Sequence, residues 1–490
     1  MNDNLTLRIY DTSDSLIIHN MFSDKVISLD KTYMRITKIA TENISEKNIS
    51  KVYKSSGILG IIQIGIYEFL IIIKSSVKVG NVGTNTEIFE IKEVEFILLS
   101  YIEEELSKEV ETILNGIYTI TSQGFYYSHN FDLTNNIQAQ KKVKMEKNNY
   151  DIFKDANHYY LWNCELLSRF IEFDVDNNFI VNCIYGYIRI HREKLEENDF
   201  SYILISRRNN ANAGIFSTKR GLDENGHAAN YVETEHIVIF DKNVSSYVQI
   251  RGTAPVYYPN RRRNSDEYSI ISYNKHLQEL FKVYKAIMLI NMMSCEKEEE
   301  MELTQRFENL IRENEYKQMK YMYFDFDNEM RESDGVDNLD KMLYNLDSIF
   351  HYFKFFLISE EVCLEQNGAI RTNCYDGLDR SNVAQMRIAW KVLGNQLKVF
   401  GIDKVKVFGC EYLYSTNKIN LLDDFLSSVN LNETKVHPFV TIFKEMWAEN
   451  NDYLSKQYRR IQTLPDPVYQ KCIDLFLHKT NLNILNGISY

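Results

Sequence analysis

Gly368-Ala369-Ile370-Arg371-Thr372-Asn373-Cys374-Tyr375-Asp376-Gly377-Leu378-Asp379-Arg380-Ser381-Asn382 is the stretch whose reading decides the fold. Its opening Gly-Ala-Ile is short and apolar, as at the end of a strand. Beyond it Val383, Met386, Trp390, Leu393 and Leu397 recur at three- and four-residue steps, which predicts one face of an amphipathic helix. A cysteine thus sits in a tight turn between a strand end and a helix start, with an arginine six residues on.

That placement carries chemistry. The unpaired N–H groups of a helix start, together with its dipole, attract anions. The same field lowers the pKa of a nearby thiol, so Cys374 is expected to be partly thiolate at neutral pH and nucleophilic. Arg380 is expected to fork onto two phosphate oxygens and stabilise the charge spread over them in the transition state. Asp376 or Asp379 would protonate the leaving oxygen and later help water cleave the thiophosphate. Ser381 would hydrogen-bond the sulfur, and Gly377 lets the loop turn without obstructing the phosphate. Together these are the parts of a cysteine-based phosphate monoester hydrolase.

Spacing alone does not establish this. Cys183-Ile184-Tyr185-Gly186-Tyr187-Ile188-Arg189 has the same cysteine-to-arginine interval. Its interior is apolar and aromatic, with no acid and no helix after it, and it reads as a buried strand.

The chain of 490 residues has room for two to four domains. Its 44% hydrophobic and 25% charged composition is that of a globular protein rather than a disordered one. Seven cysteines without paired spacing argue for reduced thiols in the cytosol, not for a disulfide or zinc framework. A net charge of −12 disfavours nucleic acid and requires any basic surface to be local. The most apolar run, Gly57 to Ile73, is broken by Gln63 and Glu68. It reads as two buried strands with a turn near Tyr67, so no transmembrane helix is expected.

Residues 1–180 alternate like strands at 6–10, 15–18, 35–39 and 90–100, with a helix expected from Glu103 to Asn115. Lys141-Lys142-Val143-Lys144 reads as a solvated loop and Tyr160 to Leu167 as a helix anchoring Trp162. Asp174 to Asn178 is a polar break, where the domain boundary is placed. In 201–258, Arg207-Arg208 and Lys219-Arg220 flank a Gly- and Asn-rich loop, the local positive patch an acidic enzyme needs. Arg261-Arg262-Arg263 reads as a basic turn. His276 to Glu313 reads as helical, Glu298-Glu299-Glu300 as a solvated face, and Tyr321 to Asp327 as a strand. Phe443, Met446 and Trp447 begin a last helix.

Arg-Thr-Asn-Cys-x-Asp-x-Leu-Asp-Arg-Ser-Asn at 371–382 resembles the signature of the Sac-domain phosphoinositide phosphatases. Phe125 to Thr134, the blocks between Ile205 and Pro255, and Trp447 to Tyr458 resemble further family motifs in the same order. The resemblance implies an α/β (α+β) fold, with a sheet-rich N-terminal Sac domain over residues 1–180. That domain would pack on an α/β catalytic domain, 181–460, carrying a Cys-x5-Arg phosphate loop, with a short tail at 461–490. It implies hydrolysis of an inositol-ring monophosphate, with phosphatidylinositol 4-phosphate as the expected substrate, through a phosphocysteine and without metal or cofactor. Cys374, Arg380 and Asp376 are the implied catalytic residues. Asn373, Tyr375, Gly377, Leu378, Asp379, Ser381, Arg207, Lys219 and Arg220 are the implied substrate-binding residues. The partner would be a headgroup on an anionic membrane, reached peripherally at endoplasmic reticulum or Golgi from the cytoplasm, or through an adaptor protein. Departures from the family are Asn212, Phe216, Asp327 and Gly377, the last in place of a second cysteine. Asn212, Phe216 and Asp327 motivate the alternative of an inactive phosphoinositide-binding scaffold, whereas Gly377 leaves the nucleophile, arginine and acids intact and activity expected. A protein phosphatase with the same loop is a third reading, in which the N-terminal domain and the 205–255 block have no place.

Overall fold

The computed structural model describes residues 5–44, 49–84, 86–99, 106–147, 150–195, 197–211, 220–257, 266–314, 316–331, 335–359, 363–409, 437–463 and 476–477. Lys219, Asn212, Phe216 and the 261–263 arginines lie outside these residues, as does most of the 461–490 tail. The chain combines helices with two sheets in a mixed α/β arrangement.

The first sheet is antiparallel and five-stranded, in the order Ile36–Ile39, Lys25–Asp30, Ser15–Asn20, Leu7–Thr12, Ile49–Ser55. Leu7, Ile9, Leu16, Ile18, Ile27 and Leu29 alternate onto its buried face. They meet Ile58, Leu70 and Ile72 of the second sheet there.

The second sheet has 13 strands among the described residues and runs without a break past residue 180. Ile58–Ile64, Tyr67–Val82, Thr86–Leu98, Phe125–Tyr127, Cys183–Leu195, Asn198–Arg208, Val232–Phe240 and Asn243–Thr253 each lie antiparallel to the next. Beyond Asn243–Thr253 the pairing changes. Ala369–Cys374 joins in parallel, followed in parallel by Ile287–Asn291 and Met319–Tyr323. Parallel strands need both faces covered, and the residues of Ala369–Cys374 are buried throughout.

One cover is the helix Asp379–Val399. Its Ala384, Ile388 and Val392 pack against Ile370 and Cys374. Its other side, with Met386, Trp390, Leu393 and Leu397, packs against Phe439, Phe443, Met446 and Trp447 of the helix Pro438–Thr463. The helix that organised the sequence reading is therefore a middle layer.

Several expectations are corrected. His276 to Glu313 is two helices, Asp266–Tyr284 and Glu298–Glu313, separated by the strand Ile287–Asn291. A short apolar run does not distinguish a helix turn from a buried strand. The strand expected to reach Asp327 ends at Tyr323, and Phe326–Arg331 is a helix. The helix expected from Glu103 spans Lys108–Thr121, capped by Ser107, whose side chain accepts from the Val110 N–H. Lys141 to Lys144 lie within the helix Ile137–Glu146. Tyr160 to Asn163 form turns before a short 3-10 segment at Glu165–Leu167, and Trp162 Nε1 donates to the Arg208 carbonyl at 2.9 Å.

Candidate active site

Three parallel strands finish level with one another. Thr253 lies beside Cys374 and Asn291 beside Asn373. Parallel sheets place ligands at such carboxyl ends. Residues 375–378 bend, and the helix starts at Asp379. Gly377 is needed on two counts. Its φ is +74°, and a Cβ there would lie 2.7 Å from the Gly252 carbonyl carbon.

Cys374 is 1% exposed. Its Sγ donates to Asp376 Oδ1 at 3.4 Å and accepts from Ser381 Oγ at 3.5 Å. Asp376 Oδ1 also accepts the Leu378 N–H at 3.0 Å, so a single carboxylate oxygen faces both the sulfur and the turn. The expectation of a thiolate at neutral pH is corrected in this state. Burial, then the Asp376 charge, pushes the thiol up to about 11 against the pull of Ser381 and Arg380.

Arg380 is held from behind. Its Nη1 and Nη2 donate to Glu300 Oε2 and Oε1 at 2.6 and 2.8 Å, and Nη1 also donates to the Met292 carbonyl at 3.1 Å. Its Nε lies 3.2 Å from Asp327 Oδ1, and Lys297 bridges Asp327 and Glu300. Burial pulls Arg380 down, but Glu300, Cys374 and Asp327 raise it further. Glu300 is therefore no solvated residue: it is 3% exposed and also accepts the Ser294 N–H. Burial raises Glu300, while Arg380, the Ser294 N–H and Lys297 hold it below its ordinary value.

The remaining expected residues divide. Arg220 donates to the Tyr375 hydroxyl, and its guanidinium carbon sits 3.6 Å from that ring's centre. The Tyr375 hydroxyl donates in turn to Glu299. Asp379 is at the surface, and its Oδ1 accepts from Asn451 Nδ2 at 2.6 Å. Leu378 is buried and meets the loop through its backbone. Asn373 and Arg207, expected to bind substrate, are engaged within the fold. Asn373 Nδ2 donates to Asn291 Oδ1 at 2.9 Å, tying adjacent strands together. Arg207, fully buried, is shared between Glu233 and Glu235 and donates to the Leu133 and Asn135 carbonyls, which uses all three of its nitrogens.

The sequence reading missed a second ring of residues. Asn230 Nδ2 donates to the Asp376 carbonyl at 2.7 Å and its Oδ1 accepts from Arg208 at 2.6 Å. Asn382 Oδ1 accepts from Arg251 Nη1 at 3.2 Å and from Asn450 at 3.1 Å, while its Nδ2 donates to the Trp447 carbonyl. The helix Pro438–Thr463 therefore braces the loop through Asn450 and Asn451. The available signal was polar residues in apolar settings: an arginine inside Gln249-Ile250-Arg251, and paired asparagines behind Trp447.

The site is thus a buried thiol at the carboxyl end of parallel strands and at a helix start, with an acid and a hydroxyl on its sulfur and an arginine close by. Comparison with known proteins gives the family. The SacI homology domain matches residues 56–331, over half of the chain, and the chain belongs to that family. Phosphatidylinositol-3-phosphatase SAC1-A of Danio rerio is 27% identical over 89% of this chain and 72% of its own length. Phosphatidylinositol-3-phosphatase SAC1 of Drosophila melanogaster is 27% identical over 92% and 74%. Phosphoinositide phosphatase SAC8 of Arabidopsis thaliana is 28% identical over 85% and 68%. No helix among the described residues is long and apolar enough to cross a membrane.

Proposed function

We propose that this protein is a phosphoinositide phosphatase that removes one monophosphate from the inositol ring through a phosphocysteine, with Cys374 as nucleophile. The observation that carries the reading is the contact of Asp376 and Ser381 with the Cys374 sulfur at the helix start. The names of the relatives supply the substrate class.

The raised thiol gives the first step a defined proton path. As Sγ attacks phosphorus, its proton passes to Asp376 Oδ1, the acceptor it already touches. The S–P bond forms, the bond from phosphorus to the inositol oxygen breaks, and Asp376 passes that proton to the leaving oxygen. In the second step Asp376 takes a proton from water, the water oxygen bonds phosphorus, the S–P bond breaks as thiolate, and Asp376 then returns the proton to the sulfur, restoring the starting thiol. Arg380, backed by Glu300, stabilises the equatorial phosphoryl oxygens. Ser381 donates to the sulfur whenever it carries negative charge. Between the two acids, Asp376 is the proton carrier in this scheme, because Asp379 is turned to Asn451. Cys374, Asp376 and Arg380 are the proposed catalytic residues; with both Nη atoms already on Glu300, Arg380 is proposed to act through its charge and remaining N–H rather than as the two-pronged fork expected from the sequence. Tyr375 and Arg220 are proposed to form the wall on the substrate side.

The 4-phosphate is the ring position proposed. The zebrafish and fruit-fly relatives carry 3-phosphatase names, so the 3-phosphate is the competing choice. The contact with membrane is proposed to be peripheral, at endoplasmic reticulum or Golgi. The domain division at residue 180 is likewise proposed, from the polar break at 174–178.

Liposomes carrying each phosphoinositide in turn, without metal and with chelator, test this with wild type beside Cys374→Ser. The expected result is release that survives chelator, is fastest on the 4-phosphate and vanishes in the variant. No release from any lipid, with liposome binding retained, would replace the enzyme reading by the scaffold.

A further inference from the structure

Three arginines besides Arg380 are buried near the ends of the parallel strands: Arg208, Arg251 and Arg371. None forms an ion pair with a carboxylate among the described residues, in contrast to Arg207 with its two glutamates. Burying an unpaired charge is costly, so its retention calls for an explanation.

Arg251 is the one placed against the reacting sulfur. It pairs with Thr372 in parallel register, two residues before Thr253 pairs with Cys374. Paired residues, and residues two apart on a strand, share a face. The face holding Thr372 and Cys374 is the one the helix Asp379–Val399 covers. Arg251 is therefore enclosed between the sheet and the first turn of that helix. Among the described residues its side chain makes one hydrogen bond, from Nη1 to Asn382 in that turn, while Nε and Nη2 have no partner there. A guanidinium with two orphan donors, fully buried at the positive end of a helix, is in a place suited to an anion.

The groups facing it are Arg208, Cys374, Asp379 and Asp376. Burial and then Arg208 pull Arg251 down to about 9, against Cys374, Asp379 and Asp376. Among the described residues Arg208 is a second buried guanidinium without an ion pair, its side chain held by Gln457, Asn230 and the Leu454 carbonyl.

We infer that Arg251 is a positioning residue for Cys374: a buried counter-charge beneath the loop that supports negative charge on the sulfur from the side opposite Arg380. The inference rests on Cys374 being the nucleophile. As the thiol proton moves to Asp376, the negative charge moves to sulfur and Arg251 compensates it without moving.

Alkylation of Cys374 tests this without any phosphatase assay. The full chain is treated at pH 8 with neutral iodoacetamide or anionic iodoacetate, and the Cys374 peptide is quantified by mass spectrometry. Arg251→Gln keeps a donor for Asn382 but has no charge, whereas Arg251→Lys keeps the charge. With native circular dichroism and melting, Arg251→Gln should react with iodoacetamide about tenfold more slowly, a loss of about one unit of thiol acidity. It should also lose the wild-type preference for iodoacetate, whereas Arg251→Lys should keep both within about threefold. A folded Arg251→Gln with wild-type rate and preference would overturn the inference. If Arg251→Gln does not fold, a folded Arg251→Lys that loses both properties overturns it, and one that keeps both supports it. Absence of lipid phosphatase activity in the wild type would sink the proposed function, yet leave these alkylation ratios readable.

Discussion

The chain holds two Cys-x5-Arg stretches that also share a glycine at the third position after the cysteine: Cys183, Gly186, Arg189 and Cys374, Gly377, Arg380. Both cysteines are buried, and both arginines meet glutamate, Arg189 with Glu449 and Arg380 with Glu300. What differs is the backbone. The first stretch stays extended within Cys183–Leu195, so Cys183 and Arg189 are far apart along a strand and their side chains do not converge. The second leaves its strand at Cys374 and enters a helix at Asp379, which curls the arginine back toward the sulfur. Spacing becomes chemistry only where the chain turns from strand to helix.

The largest expected difference between the two is in turnover. Cys374→Ser should lower phosphate release from phosphoinositide liposomes by at least about a thousandfold, since a nucleophile has been removed. Cys183→Ser, assayed at a temperature where it remains folded, should stay within about twofold of wild type.

The glutamates should separate the arginines next. Glu300→Gln removes a buried carboxylate that fixes both ends of the Arg380 fork, and kcat/KM should fall by about tenfold to a hundredfold. Glu449 is half exposed, and Glu449→Gln should change kcat/KM by less than about twofold. Equal effects would erase the distinction between a positioned arginine and a surface pair.

The glycines should fail differently. A Cβ at Gly186 would lie 1.9 Å from the Ser206 carbonyl oxygen, so Gly186→Ala should cost stability, about 1–3 kcal/mol in chemical denaturation. Gly377→Ala meets positive φ and the Gly252 backbone together, so it should cost stability and also displace the loop. Its activity should drop at temperatures where the fold is intact, whereas that of Gly186→Ala should not.

The most gradual effect is on pH. A thiol raised to about 11 keeps its proton at neutral pH, so alkylation of Cys374 should climb about tenfold per pH unit between 7 and 9. Linkage has the matching sign. The folded state holds this proton more tightly than the unfolded chain, so the contribution to stability is full below the ordinary thiol value and is lost as pH rises toward 11. Cys183 is raised by burial still further and should remain unlabelled while the chain is folded.

How much of this was legible follows from the range of each signal. The helix after Cys374 was readable because Met386, Trp390, Leu393 and Leu397 carry its period locally, and all four are buried. The strand Ile287–Asn291 was not, because its four apolar residues fit a helix face equally well and its partner lies some eighty positions away at Ala369–Cys374. The sulfur's neighbours Asp376 and Ser381 lay within the motif itself. Glu300, Asp327, Arg251, Asn230 and Asn451 reach the site from elsewhere in the chain. Glu300 stood in a run of three glutamates, where charge patterning favours a solvated face, and only the fold turns the third inward. Arg207 and Arg208 are adjacent in sequence, yet one is neutralised by glutamates and the other is not.

The most direct measurement is rapid-quench mass spectrometry during turnover of a phosphoinositide substrate, mapping any phosphoryl adduct to its peptide. The account predicts an adduct on the peptide containing Cys374 that rises and decays within the turnover, and none on the peptide containing Cys183. Turnover with no cysteine adduct at any time, or an adduct on Cys183, would contradict it.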